Sequence, residues 1–319
     1  MIPNPIISVA LATYNGAPYL REQLDSIYTP CGVTYEVVAA DDGSTDGTRD
    51  ILRDYARRCG LRDVTDGRHR GLTGNFGHVL QHCRGSYIAL SDQDDIWTDG
   101  RLDRLQQEIG EYDAVYSLIN RVLRPDGVIG EWQPPVGICD YAQRYGAGRP
   151  TAHLMASNWV ISHTLFLRRR VLEAALPIPT TQPFHDGWLA VAASSGAGVR
   201  YLNPSLTIYR EHAASLTAEK AAPPTRKFFG RGAGLARDSW RAKCEAEIAR
   251  LKSCESASFV PVADRAFAGR LRRHFERGLR GGVSFRAGFE ARRLAPYFYW
   301  SLAPRLRRNF VLRGFFGGL

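Results

Sequence analysis

The sequence has six cysteines, and no two of them form a CxxC pair or a short regular spacing. Closely spaced cysteine pairs mark redox motifs and structural zinc sites, so neither kind of site is predicted. Disulfides are also rare in proteins that remain in a reducing compartment. We therefore expect reduced thiols in a cytoplasmic protein.

Long apolar segments are absent as well. The sequence contains no window of about 18 uncharged apolar residues, which is the length that a membrane-spanning helix needs. Its first residues lack a basic stretch followed by an apolar one, so no signal peptide is expected. Any contact with a membrane is then predicted to be peripheral, at the inner face of the cell membrane.

Lysine is scarce, with four residues in the chain, so the positive charge comes almost entirely from arginine. The charge is also unevenly distributed. Residues 220–319 hold 22 Lys and Arg against 7 Asp and Glu, a net charge of +15, whereas residues 1–219 carry a net charge of −5. This asymmetry predicts an anionic partner for the last third of the chain, either membrane lipid or nucleic acid.

The remaining composition is that of a folded protein. With 319 residues, 44% of them hydrophobic and 23% charged, the chain is long enough for one large or two modest packed domains. Short apolar runs at 6–12, 35–40 and 87–90 alternate with segments of helical spacing. This alternation predicts an α/β fold with a mostly parallel, doubly wound sheet flanked by helices.

Polar residues follow each of these three apolar runs. Because ligands of open α/β sheets bind beyond the carboxyl ends of the strands, we expect these residues to meet at one edge. Several carboxylates at such an edge repel one another unless a hard cation is bound, and Mg²⁺ or Mn²⁺ prefers oxygen ligands. In an extended chain Asp92 and Asp94 point to the same side and can share this ion. The alternative is a solvated acidic loop that caps the next helix.

Four stretches occur in a characteristic order, at residues 8–20 (SVALATYNGAPYL), 35–48 (YEVVAADDGSTDGT), 68–97 (ending SDQDDIW) and 184–190 (FHDGWLA). Over about residues 5–215 the sequence resembles the family 2 nucleotide-sugar glycosyltransferases, which have the GT-A fold. It is most similar to their bacterial rhamnosyltransferase-like branch. The resemblance implies sugar transfer in surface polysaccharide synthesis.

The resemblance also implies roles for individual residues. In the donor site, Asp41 or Asp42 would accept a hydrogen bond from the pyrimidine N3–H, and Asp92 would contact the ribose or the metal. The Asp92 and Asp94 pair corresponds to the family's DXD motif, with Asp94 as a ligand of Mg²⁺ or Mn²⁺. The nucleotide-binding residues would be Thr13, Tyr14, Asn15, Asp41, Asp42, Asn75 and Asp92. For the stretch Asp41-Asp42-Gly43-Ser44 the alternative is a turn with a helix cap, and for Asn75 it is a helix-start cap.

The same resemblance implies that Asp186 is the general base of an inverting single displacement. A helix N-terminus favours an ionised carboxylate there, and the alternative is an ordinary helix cap. His212 would be a further metal ligand. His185, Trp188 and Arg210 would contact the acceptor or the phosphates. We find no QxxRW motif of the processive members, so one sugar is expected to be added per encounter.

The predicted domain organisation places a GT-A catalytic domain at 1–218 and a basic, mainly helical region at 219–319. Basic amphipathic helices with aromatic residues lie well on anionic membranes, where a lipid-linked acceptor would be found. The alternative is a helical extension that only packs on the catalytic domain. Nucleic acid ranks last as a partner, because no recognition motif accompanies the charge.

Two other function classes compete with sugar transfer. A sugar nucleotidyltransferase uses a similar sheet edge and metal, but it needs a loop with Lys or Arg after the first strand, and residues 13–19 contain no cation. A non-catalytic sugar- or lipid-binding module is the third class. Such a module would tolerate Asp186→Asn, whereas a transferase would lose turnover.

Overall fold

The computed structural model describes residues 6–131, 138–203, 205–212, 233–280 and 285–297. Contacts within the chain define two compact units. The first unit consists of Met1–Pro134, Tyr145–Pro150 and Val160–Arg210, and the second of Pro135–Arg144, Thr151–Trp159 and Glu211–Leu319. The predicted domain boundary between 218 and 219 lies outside the described residues and stays a prediction.

Eleven strands are found in the described residues, all of them in the first unit. They are β1 (Ile7–Thr13), β2 (Tyr35–Asp41), β3 (Arg62–Asp63), β4 (Tyr87–Ser91), β5 (Ile96–Trp97), β6 (Ala114–Ser117), β7 (Arg121–Leu123), β8 (Ile129–Glu131), β9 (Phe166–Arg168), β10 (Val199–Leu202) and β11 (Thr207–Arg210). Seven strands form one sheet in the order β10-β6-β9-β4-β1-β2-β3. The other four form a sheet in the order β5-β11-β7-β8.

The large sheet is mostly parallel, because β1 pairs in parallel with both β2 and β4, and only β9 runs antiparallel to its neighbours. All seven residues of β1 are buried, as expected for a strand covered on both faces. The register places Thr13 beside Asp41 and Leu11 beside Ser91. The ends of three strands therefore lie at one edge, which confirms the predicted doubly wound arrangement.

The described residues contain eleven α-helices. They are α1 (Ala17–Ile27), α2 (Thr48–Cys59), α3 (Gly71–His82), α4 (Arg101–Glu108), α5 (Ile138–Tyr145), α6 (Thr151–Ala156), α7 (Arg169–Ala175), α8 (His185–Ser195), α9 (Ala233–Ser256), α10 (Val262–Arg280) and α11 (Phe285–Leu294). Helices α1 and α2 pack on the sheet through apolar residues at helical spacing, such as Leu20, Leu24 and Leu52. Helix α2 begins at Thr48, with Gly47 as its N-cap residue.

The second unit is helical where the structure describes it, as the sequence predicted. Helices α9 and α10 pack against each other and bury Cys244, Leu251, Phe267 and Leu271. Arg272 of α10 pairs with Glu255 of α9 at 2.6 Å. Among the described helices, none is both long enough and apolar enough to cross a membrane.

Candidate active site

The loop after β1 carries the first three predicted nucleotide-binding residues. Thr13 is buried, and its hydroxyl donates a hydrogen bond to Oδ2 of Asp41 at 3.0 Å. The side chain of Tyr14 is half exposed, at 51%. Asn15 has a left-handed backbone with φ 48°, which a short polar side chain tolerates by binding nearby backbone, and its Oδ1 accepts from the N–H of Thr45 at 2.9 Å. The first loop is thus held against the loop after β2.

Asp41 and Asp42 at the end of β2 are both buried, and both bind main-chain N–H groups. Asp41 accepts from the N–H of Ser44 at 2.9 Å, which is the turn-forming role weighed for it. Asp42 accepts from the N–H groups of Arg70 and Gly71 at 2.6 and 2.8 Å, at the start of α3. Both carboxylates therefore organise the loops around the site. Which of them binds the base stays a prediction.

Asn75 lies inside α3, so the alternative of a helix-start cap was wrong. Its side chain is buried, and Nδ2 donates to the carbonyl oxygen of Ala40 at 2.9 Å. Asn75 thus holds the end of β2, next to Asp41. Its predicted contact with the nucleotide is untested.

A cluster of Asp92, Asp95 and His163 lies beyond the end of β4. The Nδ1 atom of His163 lies 2.9 Å from Oδ2 of Asp95 and 3.2 Å from Oδ2 of Asp92. One ligand atom from each of the three residues lies within 4.8 Å of the others. Asp95 and His163 are fully buried, whereas the side chain of Asp92 is 33% exposed. The chain bends at 93–94, so Asp92 lies next to Asp95 rather than Asp94.

The donor set of this cluster fits a divalent ion. Two carboxylates and an imidazole are common metal ligands, and Asp92 leaves the cluster open to solvent on one side. In the described part of the chain, Nε2 of His163 is buried without a hydrogen-bond partner, whereas the buried Oδ2 of Asp95 faces Nδ1 of His163. Burial alone would lower the pKa of His163, but the charges of Asp95 and Asp92 outweigh it and raise that pKa to about 10, so the ring is protonated without an ion and a bound ion would replace that proton.

Ser162 connects this cluster to the start of α8. Its Oγ atom lies 2.7 Å from Nε2 of His185 and donates to Oδ1 of Asp92 at 3.3 Å. The His185 ring is buried and stacked on Phe76, with ring centroids 3.7 Å apart. Burial lowers the pKa of His185 to about 4, so the ring is neutral at physiological pH. His185 is therefore part of the interior of the site.

Asp186 follows directly and lies in the first turn of α8. Its carboxylate accepts from the N–H of Gly187 at 2.5 Å, and the N–H of Ser162 also binds it. Burial is the largest influence on this group, and together with the charge of Asp92 it raises the pKa of Asp186 to about 7. The expected effect of the helix N-terminus is thus outweighed by desolvation. A carboxyl group with such a pKa can act as a proton acceptor near neutral pH.

The other predicted site residues are divided between the edge, the core and the second unit. Arg210 lies at the acidic loop, where its Nε donates to the carbonyl oxygen of Asp94 at 2.9 Å and its main-chain N–H donates to Asp95 at 3.1 Å. Trp188 is buried, and its indole N–H donates to the carbonyl oxygen of Ala175 at 2.8 Å, so it packs in the core rather than facing an acceptor. His212 belongs to the second unit.

Sequence patterns did not identify Arg101, which supports the cluster from α4. Arg101 is buried, donates to the carbonyl oxygen of His163 at 2.6 Å and stacks over the Trp97 ring at 4.3 Å. Burial lowers the pKa of Arg101 to about 9, although the charge of Asp95 opposes that shift. An arginine at the start of an amphipathic helix usually lies in solvent, so its role was not apparent from spacing.

A doubly wound α/β sheet that gathers carboxylates, a candidate ion site and a candidate base at one edge has the architecture of a nucleotide-dependent transferase. The family model described as "Glycosyl transferase family 2" matches residues 8–175, more than half of the chain. The chain therefore belongs to glycosyl transferase family 2. This confirms the predicted family, whereas the rhamnosyltransferase-like branch stays a prediction.

The chain is also similar to individual bacterial proteins, one of which is a named glycosyltransferase. Rv1520 of Mycobacterium tuberculosis is 29% identical over 237 residues, covering 72% of this chain and 66% of its own length. The chain thus spans just under two thirds of that relative. WfaP of Escherichia coli, named a UDP-Glc:alpha-D-GlcNAc-diphosphoundecaprenol beta-1,3-glucosyltransferase, is 26% identical over 219 residues, which is 67% of this chain and 81% of WfaP.

Solved structures show the same fold. TarS 1-349 of S. aureus in complex with UDP-GlcNAc has a TM-score of 0.59 at 16% identity, covering 97% of this chain and 90% of TarS. Mannosyltransferase PcManGT from Pyrobaculum calidifontis, in complex with GDP-Man and Mn²⁺, has a TM-score of 0.54 at 18% identity, covering 98% of this chain and 86% of PcManGT. At these identities the similarity shows the fold alone, and it confirms the GT-A architecture.

Proposed function

We propose that the protein is an inverting, metal-dependent, non-processive glycosyltransferase of bacterial surface polysaccharide synthesis. It moves a hexosyl or deoxyhexosyl group from a UDP- or dTDP-sugar to a hydroxyl group of a saccharide or lipid-linked acceptor. The observation that carries the proposal is the position of Ser162, which touches both Asp92 on the donor side and Asp186 on the acceptor side.

On the donor side, the nucleotide binds over the loops that follow β1 and β2. Tyr14, Asn15 and one of the two aspartates at the end of β2 contact the base, with Thr13 and Asn75 behind them. Asp92, Asp95 and His163 hold the divalent ion, and Asp94 and His212 remain candidate ligands from the sequence. A bound Mg²⁺ or Mn²⁺ supplies positive charge that stabilises the diphosphate as it leaves. Arg210 lies close enough to the acidic loop to pair with phosphate oxygens.

On the acceptor side, Asp186 accepts the proton of the acceptor hydroxyl. The hydroxyl oxygen forms a bond to the anomeric carbon as the bond from that carbon to the diphosphate oxygen breaks, so the configuration inverts. The raised pKa of Asp186 suits this role, because a base with a pKa near the working pH combines availability with proton affinity. His185 orients this end of the site through Ser162.

The choice of substrates rests on the relatives. WfaP is named for transfer to a diphosphoundecaprenol-linked acceptor, which supports a lipid-linked acceptor here. The exposed Arg270, Arg273 and Arg280 along α10 support a contact between the second unit and an anionic membrane surface. The stretch 298–319, which holds four arginines and six aromatic residues, lies outside the described residues. Cosedimentation with vesicles of anionic or neutral lipid tests this contact.

The proposed function is tested by binding and turnover of the same protein. Thermal unfolding is followed with UDP, dTDP and GDP, each with and without Mn²⁺, because a ligand of the folded state raises its apparent stability. We expect a metal-dependent increase of the unfolding temperature with UDP or dTDP. Sugar transfer is then measured with the corresponding nucleotide sugars. No response to any pyrimidine diphosphate would contradict the proposal.

Asp186→Asn separates a transferase from a binding module. We expect this variant to bind the nucleotide like the wild type and to lose about 10²–10⁴-fold in turnover, as is usual for removal of a general base. Asp50→Asn is the matched control, since Asp50 also lies in the first turn of a helix but is exposed. Full transfer by Asp186→Asn would exclude Asp186 as the base.

A further inference from the structure

The side chain of Gln93 binds the first loop through both of its polar atoms. Its Oε1 accepts from the main-chain N–H of Tyr14 at 2.8 Å, and its Nε2 donates to the carbonyl oxygen of Tyr14 at 2.9 Å. A primary amide reproduces the donor and acceptor of a peptide group, so the pair resembles one rung between two strands. Gln93 is the middle residue of the Asp92-Gln93-Asp94 motif, a position that the sequence pattern leaves unspecified.

Gly16 lies directly beside this contact. Its backbone φ is −102°, a conformation that any residue adopts, so its backbone does not require glycine. A Cβ atom at Gly16, however, would lie 2.5 Å from Cδ of Gln93, far inside van der Waals distance. An alanine at this position would therefore displace the amide group of Gln93 from its place against Tyr14.

The contact joins two parts of the site that are distant in sequence. On one side, Tyr14 presents a half-exposed ring with its centroid 5.7 Å from the exposed ring of His69. On the other side, Gln93 is covalently flanked by Asp92 and Asp94. The amide of Gln93 thus sets the distance between the Tyr14 ring and the acidic loop.

We propose that Gln93 is a positioning residue that fixes the main chain of Tyr14 and so couples the base side of the nucleotide site to the side that holds the metal and diphosphate. The inference rests on the proposed function, because it takes the Tyr14 loop to bind the base. Gln93 itself contacts neither the reacting atoms nor the ion. Its effect is on donor binding, and chemistry at saturating donor is preserved.

A double-mutant cycle of Gly16→Ala and Gln93→Ala tests the coupling. Each single variant weakens UDP binding in the presence of Mn²⁺ by about tenfold, since each loses the paired hydrogen bonds. In the Gln93→Ala background, Gly16→Ala costs no further affinity, because the added methyl group finds room where the side chain was. If the double variant lost as much affinity as the two single variants together, the proposal would be overturned.

Kinetics distinguish positioning from general destabilisation. We expect Gln93→Ala to raise the KM for the donor by about tenfold while kcat changes less than about twofold. The gain in UDP affinity on adding Mn²⁺ also becomes smaller. Gln93→Glu is the conservative second variant, as it keeps the acceptor for the Tyr14 N–H but opposes the Tyr14 carbonyl with another acceptor, and it weakens UDP binding too. A change in kcat alone would overturn the proposal.

Two controls match the variants. Gly47→Ala changes a glycine in the neighbouring loop with φ −74°, where a Cβ meets only Cβ of Ala17 at 3.7 Å, so we expect no loss of binding. Gln107→Ala removes an exposed glutamine of α4. If the wild type binds no nucleoside diphosphate, the proposed function and this inference both fail. If the wild type binds UDP and Gln93→Ala binds it equally, only this inference fails.

Discussion

The Oγ atom of Ser162 lies 2.7 Å from Nε2 of His185, and this contact determines how the two residues share their protons. Burial raises the pKa of Asp92, but the hydrogen bond and the charge of His163 outweigh it, so Asp92 is ionised and can only accept. Ser162 therefore donates to Asp92 and accepts from His185. His185 carries its proton on Nε2, which leaves Nδ1 as an acceptor.

Removing the Ser162 hydroxyl interrupts the series of hydrogen bonds from His185 through Ser162 to Asp92. We expect Ser162→Ala to lower kcat by about tenfold, because buried Nε2 of His185 then lacks an acceptor and the start of α8 loses its alignment. Steady-state kinetics with the donor at saturation measure the effect. Thr164→Ser is the control, since Thr164 binds the carbonyl oxygen of Ser117 through a hydroxyl that serine retains. An unchanged kcat of Ser162→Ala would show that these hydrogen bonds have no role in turnover.

The raised pKa of Asp186 predicts the pH dependence of the enzyme. As a base, Asp186 works only when ionised, so kcat/KM should rise as the pH increases through about 7. The effect on stability has the opposite sign. Between pH 3.8 and about 7 the folded state holds the proton more tightly than the unfolded chain, so stability falls as the pH rises through this window.

The Asp186→Asn variant tests both the pH dependence of turnover and the pH dependence of stability. The variant should lose the rise in turnover, and its unfolding temperature should vary less with pH between about 4 and 7 than that of the wild type. Turnover profiles at saturating Mn²⁺ and unfolding curves at each pH provide the data. A wild-type profile that is flat from pH 5 to 8 would refute the assignment.

Removal of the metal should abolish transfer. We expect EDTA to stop turnover and Mn²⁺ to restore it, and Asp92→Asn to eliminate the Mn²⁺-dependent increase of the unfolding temperature with UDP. Asp95→Asn and Asp94→Asn distinguish the two ligand sets. The cluster predicts that Asp95→Asn abolishes the metal response and Asp94→Asn retains it. The reverse result would favour the set of Asp92, Asp94 and His212 that the resemblance implied.

Arg101 is predicted to be essential for stability. Arg101→Lys keeps the charge but cannot reach both the carbonyl oxygen of His163 and the Thr207 side chain, and it loses the planar contact with Trp97. We expect a loss of about 2–4 kcal/mol in the free energy of unfolding, measured by urea denaturation. Arg104→Lys, three residues further along α4 at a position exposed to solvent, is the control and should cost less than about 0.5 kcal/mol. Equal losses for both variants would contradict the assigned role of Arg101.

Much of the fold was predictable because its signals are local. The runs ending before Asp41 and Asp92 are apolar, short and followed by polar residues, and parallel strands in a doubly wound sheet must place such ends at one edge. The sequence pointed to Asp186 because the short motif around it resembles one of the family's motifs. The pKa of Asp186 was not predictable, because it depends on how completely the surrounding chain removes water.

Which side chains meet at that edge was decided by the tertiary structure. The spacing rule for extended chain paired Asp92 with Asp94, but the bend after β4 brings Asp95 and the distant His163 to Asp92. Spacing rules hold only while the backbone stays regular, and the site lies where the strands end.

The sequence by itself therefore determined the class of fold, the family and the edge of the sheet at which the polar residues gather. Only the tertiary structure decided that Trp188 belongs to the core, that Arg101 is buried beneath the cluster and that Gln93 occupies the space left by Gly16. Periodicity and motifs encode contacts between neighbours in the chain, whereas these contacts join segments separated by long stretches of sequence, and their geometry exists only once the sheet has assembled.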